Sequence, residues 1–195
     1  FMDRSVSVVD LSNLLSRGDW LAPVSKTLSS VTTEKLNTQV LKGKQLFYDA
    51  KDLRLASDSY ISCATCHNDG GHDGRVWDLT GFGEGLRNTI ALQGRSGISQ
   101  GFLHWSGNFD EIQDFEGQIR NLAGGTGLMT DADFVASQNT LGLPKAGRSA
   151  DLDALAAYVN SLSTFQKSPN RDSDGSLTAD AVAGKALFTK AGCTK

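Results

Sequence analysis

Two of the three cysteines and two of the three histidines fall within residues 59–74, SYISCATCHNDGGHDG. Cys63, Cys66 and His67 form C-x-x-C-H, a spacing whose dominant chemical use is covalent attachment of a c-type haem. Two thiols three positions apart can each add across a vinyl group, and the next imidazole then reaches the iron, so His67 is the expected proximal ligand. Two rival chemistries share the spacing. A redox-active dithiol wants a βαβ pattern around it, and none is legible. Zinc wants a second ligand pair, and His72 and His104 are scattered.

The second axial position has three candidates, Met129, His104 and His72, beside an open site at which iron binds peroxide. Methionine raises the potential relative to a second histidine. His72 follows His67 so closely that reaching the opposite face needs a tight wrap of the glycine-rich loop; its plainer reading is a surface loop residue. His104 lies among aromatics in FLHWSGN and reads equally as a part-buried, hydrogen-bonded side chain. Met129 follows GGTGL and reads equally as ordinary core. Arg87, in GEGLRNT, could fork onto a haem propionate or simply be solvated.

The odd cysteine has an account in an internal repeat. GKQLF at 43–47 precedes Cys63, and GKALF at 184–188 precedes Cys193. Matching phrases in matching contexts suggest a repeated unit. Cys193 then opens a second, incomplete C-x-x-C-H, whose haem is not stably held because the iron-ligating histidine is missing. The alternative is coincidence between two amphipathic helices. NRDSDG at 170–175 echoes a calcium loop, but the twelfth position is Ala181 where a bidentate glutamate is needed, and a turn with a helix cap is the better reading.

The elements that position these groups read as mostly helical. Residues 4–10, RSVSVVD, carry a strand signal and resemble the last strand of a β-propeller blade; an extended tail is the plainer alternative. Leu36, Val40, Leu41 and Phe47 recur at helical spacing, predicting a helix over about 33–49 capped by Thr33. Residues 68–108 are rich in Gly, Asp and Asn and predict loop with short helical turns. Asn108 with Glu111 suggests a capping box for a helix burying Phe109, Ile112, Phe115, Ile119 and Leu122, stopped by Gly124-Gly125. Ser149 starts a further predicted helix over about 150–163, with Leu152, Leu155, Ala156, Val159 and Leu162 on one face, and Thr178 begins a last one, stopped by Gly192. The expected fold class is all-α, a c-type cytochrome-like domain with long loops and a short N-terminal β-strand or extended tail. The expected domains are 1–32 (an extended segment or the end of an upstream propeller), 33–167 (the c-type haem domain) and 168–195 (a linker and the truncated start of a second haem domain).

Composition narrows the class. Hydrophobic residues make up 39% and charged residues 21% of the 195 positions, ordinary values for a soluble globular chain. A net charge of −3 argues against a nucleic-acid surface, and no apolar run reaches the roughly 20 residues of a membrane span. FMDRSVSVVDLS has none of the parts of a signal peptide, and the chain reads as a fragment whose start lies upstream.

The phrases GKQLFYDAKDLRLASDSYISCATCH, GLRNT and HWSGNFDEIQDFEGQI resemble the N-terminal haem domain of bacterial di-haem cytochrome c peroxidases and their relatives, among them the di-haem enzyme that matures methylamine dehydrogenase. The resemblance covers about residues 38–165, and 178–195 resembles the entry to the second haem domain. It implies haem c on Cys63, Cys66 and His67, with Arg87 and Trp105 near the cofactor and Trp105 beside the route between haems. The family's pocket glutamine and acid glutamate fall near Phe115 and Leu128, neither of which moves protons; Glu116, Gln118 and Trp105 are the remaining catalytic candidates. The resemblance also implies extracytoplasmic maturation, in the bacterial periplasm, and a redox partner protein or second haem domain. Electron transfer is the leading activity. The alternatives are peroxidase-like reduction of hydrogen peroxide and an accessory haem module of a propeller-type binding protein.

Overall fold

The computed structural model describes residues 4–165 and 167–194. It divides into two compact units, 1–163 and 164–195, taken separately below.

The first unit opens with a hairpin of β1 (Ser5–Val9) and β2 (Val24–Ser29), antiparallel, with Val6 opposite Leu28 and Ser7 opposite Thr27. A short helix, α1 (Ser12–Arg17), lies in the connection. A lone strand cannot satisfy its backbone, and β2 supplies the missing partner for the predicted strand. Arg4 then ties the hairpin to the chain beyond it, donating from Nε to Glu34 at 2.7 Å and from Nη2 at 3.2 Å.

The core is built on two helices. α2 (Thr38–Tyr48) is capped by Asn37, whose side chain accepts from the Gln39 and Val40 amides; the predicted cap, Thr33, lies outside it. α6 (Ala150–Ser161) is capped by Ser149, as its sequence predicts. Phe47, Leu46, Leu152, Leu155, Tyr158 and Val159 are buried between and around them, and the rings of Phe47 and Tyr158 meet edge-on at 5.1 Å. The helices touch at Gly43: a Cβ there would overlap the Ala154 carbonyl and come within 2.9 Å of Tyr158 Cβ. The glycine of GKQLF is therefore a packing requirement.

Along the chain between these helices come α3 (Cys63–Cys66), a 3-10 turn at Asn68–Gly70, and a hairpin of β3 (Val76–Leu79) and β4 (Gly85–Asn88) with Trp77 opposite Arg87. The segment starting at Asn108 begins differently from its expected capping box. Glu111 is the cap, paired with Asp114 three residues on, and the chain runs as a 3-10 turn (Ile112–Phe115) before α4 (Glu116–Asn121). α5 (Asp131–Ala136) follows, capped by Thr130.

The all-α expectation is wrong. The fold is mixed α/β, 35% helix and 13% strand with two small antiparallel sheets. The physical reason lies in the strands. β4 is GLRN and β2 is VSKTLS, neither with a clean apolar alternation, and both β2 and most of β3 are exposed. Sheets this small are held by backbone pairing more than by a buried face, and backbone pairing leaves little trace in side-chain pattern.

In the second unit, α7 (Ala179–Lys190) is capped by Thr178, whose side chain accepts from the Ala181 amide. The turn before it is self-contained: Asp174 accepts from both the Ser176 amide and its hydroxyl, and Arg171 donates to the Gly175 carbonyl at 2.6 Å. Leu187, Phe188 and Val182 are exposed.

Candidate functional site

Ser62 starts α3: Thr65 Oγ1 accepts the Ser62 amide at 3.0 Å, and the Thr65 amide donates to the Ser62 carbonyl at 3.0 Å. The helix lasts one turn. Cys63 and Cys66 therefore lie on one face, and His67 follows directly as the C-cap. Both cysteines are free thiols. Burial pushes the Cys63 thiol up to about 11, and burial followed by the Asp73 charge raises Cys66. That is opposite to the lowered thiol of a redox-active C-x-x-C.

Burial lowers His67, while the nearby Gly71 and Ile90 backbones and Asp73 pull the other way. Its Nδ1 is buried without a hydrogen-bond partner. Two free thiols on one helical turn beside such a ring fit haem c. Among the described residues no group of three or more His, Cys, Asp or Glu side chains is placed to hold a metal ion.

The loop leaving His67 is held closely. Tyr48 donates to Asp69 Oδ1 at 3.2 Å, the Leu92 and Gln93 amides donate to the Gly70 carbonyl, and Gln93 Nε2 donates to the Asp69 carbonyl. Trp105, 60% exposed, donates from Nε1 to the Asn88 carbonyl at 2.8 Å, which links it to the end of β4. Arg87 sits on β4 with its Nε 3.4 Å from Glu84 Oε2 and Nη1 donating to the Leu86 carbonyl.

The distal candidates are placed in three different settings. His72 is on the loop, with its Nδ1 accepting the Gly74 amide at 3.0 Å. Met129 is buried in the core cluster with Leu46, Phe47 and Leu155. His104 lies against Phe109 and Phe115, with ring centroids 4.0 and 5.1 Å away, and its Nδ1 is 2.8 Å from Asn108 Oδ1. Burial is the main influence on His104 and lowers it, against Asn108 and Glu84.

Among the catalytic candidates, Glu116 is fully buried and committed to its own loop. Oε1 accepts from Arg120 Nε and the Met129 amide, and Oε2 from the Leu128 amide. It clamps the chain that carries Met129. Gln118 contributes its backbone carbonyl to the end of α4, accepting from the Leu122 and Ala123 amides. Cys193 is exposed in the second unit, its amide donating to the Phe188 carbonyl.

Sequence reading missed Glu84. It is 7% exposed, and Oε1 accepts from Ser106 Oγ at 2.6 Å and Asn108 Nδ2 at 2.9 Å. The signal was present in Gly83-Glu84-Gly85: both glycines are left-handed, with φ of 80° and 69°, and the double kink turns the acid inward where an L-residue would resist it.

No family model matches the chain, and no curated protein matches it. A solved structure of hydrazine synthase from Kuenenia stuttgartiensis, pressurized with 20 bar xenon, is similar at 27% identity and a TM-score of 0.47, over 80% of this chain and 46% of that one. The chain thus spans less than half the length of that protein chain.

Proposed function

We propose that this chain is a c-type haem protein that transfers electrons, with haem c joined to Cys63 and Cys66 by thioether bonds and His67 as the proximal iron ligand. The observation that carries the reading is the part-buried His67 imidazole, placed at the end of a one-turn helix that presents two free thiols. When bound, the haem supplies a one-electron iron centre whose potential depends on the axial ligands and on burial. The protein residues supply the anchoring, the seat for the ring and the tightly stitched loop after His67.

Electron transfer is favoured over peroxide reduction because Glu116 has both carboxylate oxygens engaged by Arg120 and the loop backbone, leaving no free acid there to move a proton. The working arrangement is that of a di-haem cytochrome c peroxidase-like protein, with Cys193 opening a second site, a partner protein or second haem domain exchanging electrons, and maturation outside the cytoplasm. Among the described residues no helix is long and apolar enough to cross a membrane.

The test is production in a bacterial periplasm able to load the cofactor, followed by acid extraction and mass measurement. The wild-type chain retains porphyrin mass, and the double variant Cys63→Ala, Cys66→Ala retains none. Wild-type protein that stays bare under those conditions would falsify the reading.

A further inference from the structure

Glu84, Asn108 and His104 form a directed chain of hydrogen bonds. A carboxylate pairing with Arg87 offers only acceptors, and Glu84 Oε1 takes a hydrogen bond from Asn108 Nδ2 at 2.9 Å. That decides which way the Asn108 amide faces, because the reversed amide would set two acceptors against each other. Asn108 Oδ1 must then face His104 Nδ1, 2.8 Å away. An amide oxygen only accepts, so Nδ1 carries the proton, and in the neutral ring Nε2 carries a free electron pair. Ser106 holds the same Glu84 oxygen at 2.6 Å and fixes the carboxylate.

The ring is also fixed sideways. Phe109 and Phe115 lie on it at 4.0 and 5.1 Å, and His104 takes a left-handed backbone, φ 64°, which a non-glycine residue holds only against a cost. Its side chain keeps 18% of its surface exposed, and Nε2 makes no hydrogen bond among the described residues. His72 is set the opposite way. Its Nδ1 accepts the Gly74 amide, so its neutral ring carries the proton on Nε2.

We propose that Glu84 is a positioning residue that, through Asn108, locks His104 in the Nδ1–H tautomer and so makes Nε2 of His104 the second imidazole donor to the haem iron. The ligation half rests on the haem reading above; the tautomer half does not. Metal-binding histidines are commonly oriented in this way by a hydrogen bond to the other ring nitrogen, and a carboxylate acting through an amide is one means of doing it.

The experiment uses the full chain labelled with nitrogen-15 in histidine, without and with haem. In the haem-free chain, imidazole nitrogen spectra show His104 protonated on Nδ1 and His72 on Nε2. In Glu84→Gln, where the new amide can face either way, the His104 preference falls at least several-fold. In the haem-loaded chain, the ferric spectrum is low-spin, His104→Gly converts it to high-spin, and added imidazole restores it. His104 protonated on Nε2, or unmoved by Glu84→Gln, overturns the relay. A ferric spectrum indifferent to His104→Gly overturns the ligation. Failure of any haem to attach overturns the proposed function, while the haem-free spectra still decide the relay.

Discussion

Lys145 Nζ lies 2.6 Å from Asp114 Oδ1, and each side chain is 1% exposed. The other Asp114 oxygen accepts the Asp110 and Glu111 amides, and the Lys145 and Ala146 amides turn to Glu111. The turn before α4 and the loop before α6 are thus joined by one buried ion pair and its capping acids. Removing one member leaves an uncompensated charge in the interior, which costs about 3–5 kcal/mol. Asp114→Ala and Lys145→Ala should each lower stability by about that much, and the double variant by clearly less than their sum. Urea unfolding of the three proteins checks it; strict additivity would mean that the two groups are not coupled.

Two glycines in matching phrases should respond oppositely to one substitution. Gly43→Ala drives a methyl into the Ala154 carbonyl and should destabilise the first unit by about 1–3 kcal/mol, the usual cost of overpacking. A Cβ at Gly184 meets nothing within 4 Å, so Gly184→Ala should favour α7 by up to about 1 kcal/mol through helix propensity. Thermal unfolding reads the first, and slower amide exchange within α7 reads the second.

Glu116 should matter to the loop at 127–131. Glu116→Ala removes the acceptor of Arg120 Nε and of the Leu128 and Met129 amides. Arg120 keeps Asp131 at 2.7 Å, so the loss falls mainly on the two amides, at about 1–3 kcal/mol for each left unpaired. Amide exchange at Leu128 and Met129 should rise with the loss of stability.

The Arg4–Glu34 pair predicts a local pH response. Arg4 first, and the Leu36 amide second, hold the Glu34 carboxyl at about 2, below its ordinary 4.5. A lowered acid pKa means the unfolded chain takes up the proton first, so the pair's contribution is whole above pH 4.5 and fades as pH falls toward 2. The pair lies at the surface, so the effect belongs to the tether of the β1–β2 hairpin rather than to global stability. Carboxyl NMR should give Glu34 a midpoint near 2, and Arg4→Gln should return it toward the ordinary value.

Much of the core could be read in advance. The apolar spacing of Val40, Leu41 and Phe47 falls on α2, where Phe47 is buried and the other two part-buried while Leu36 lies outside the helix, and that of Leu152, Leu155 and Val159 marks the buried face of α6, because helical burial repeats with the helical turn. Ser149 and Thr178 announce two helix starts for the same local reason. The C-x-x-C-H spacing of Cys63, Cys66 and His67 is likewise local, complete within five residues.

Other features required the folded chain. The β3–β4 hairpin hides in a glycine-rich stretch because its pairing is a backbone matter. Glu116 looks like a free acid in sequence and becomes a loop clamp only when residues 128 and 129 arrive beside it. His72 and His104 are equivalent as letters. Hydrogen bonds from Gly74 and to Asn108, the latter oriented by Glu84 twenty-four positions from Asn108, give the two rings opposite tautomers. Residue type determines which groups can hold a metal; which nitrogen faces outward depends on contacts between distant segments, and those exist only in the tertiary structure.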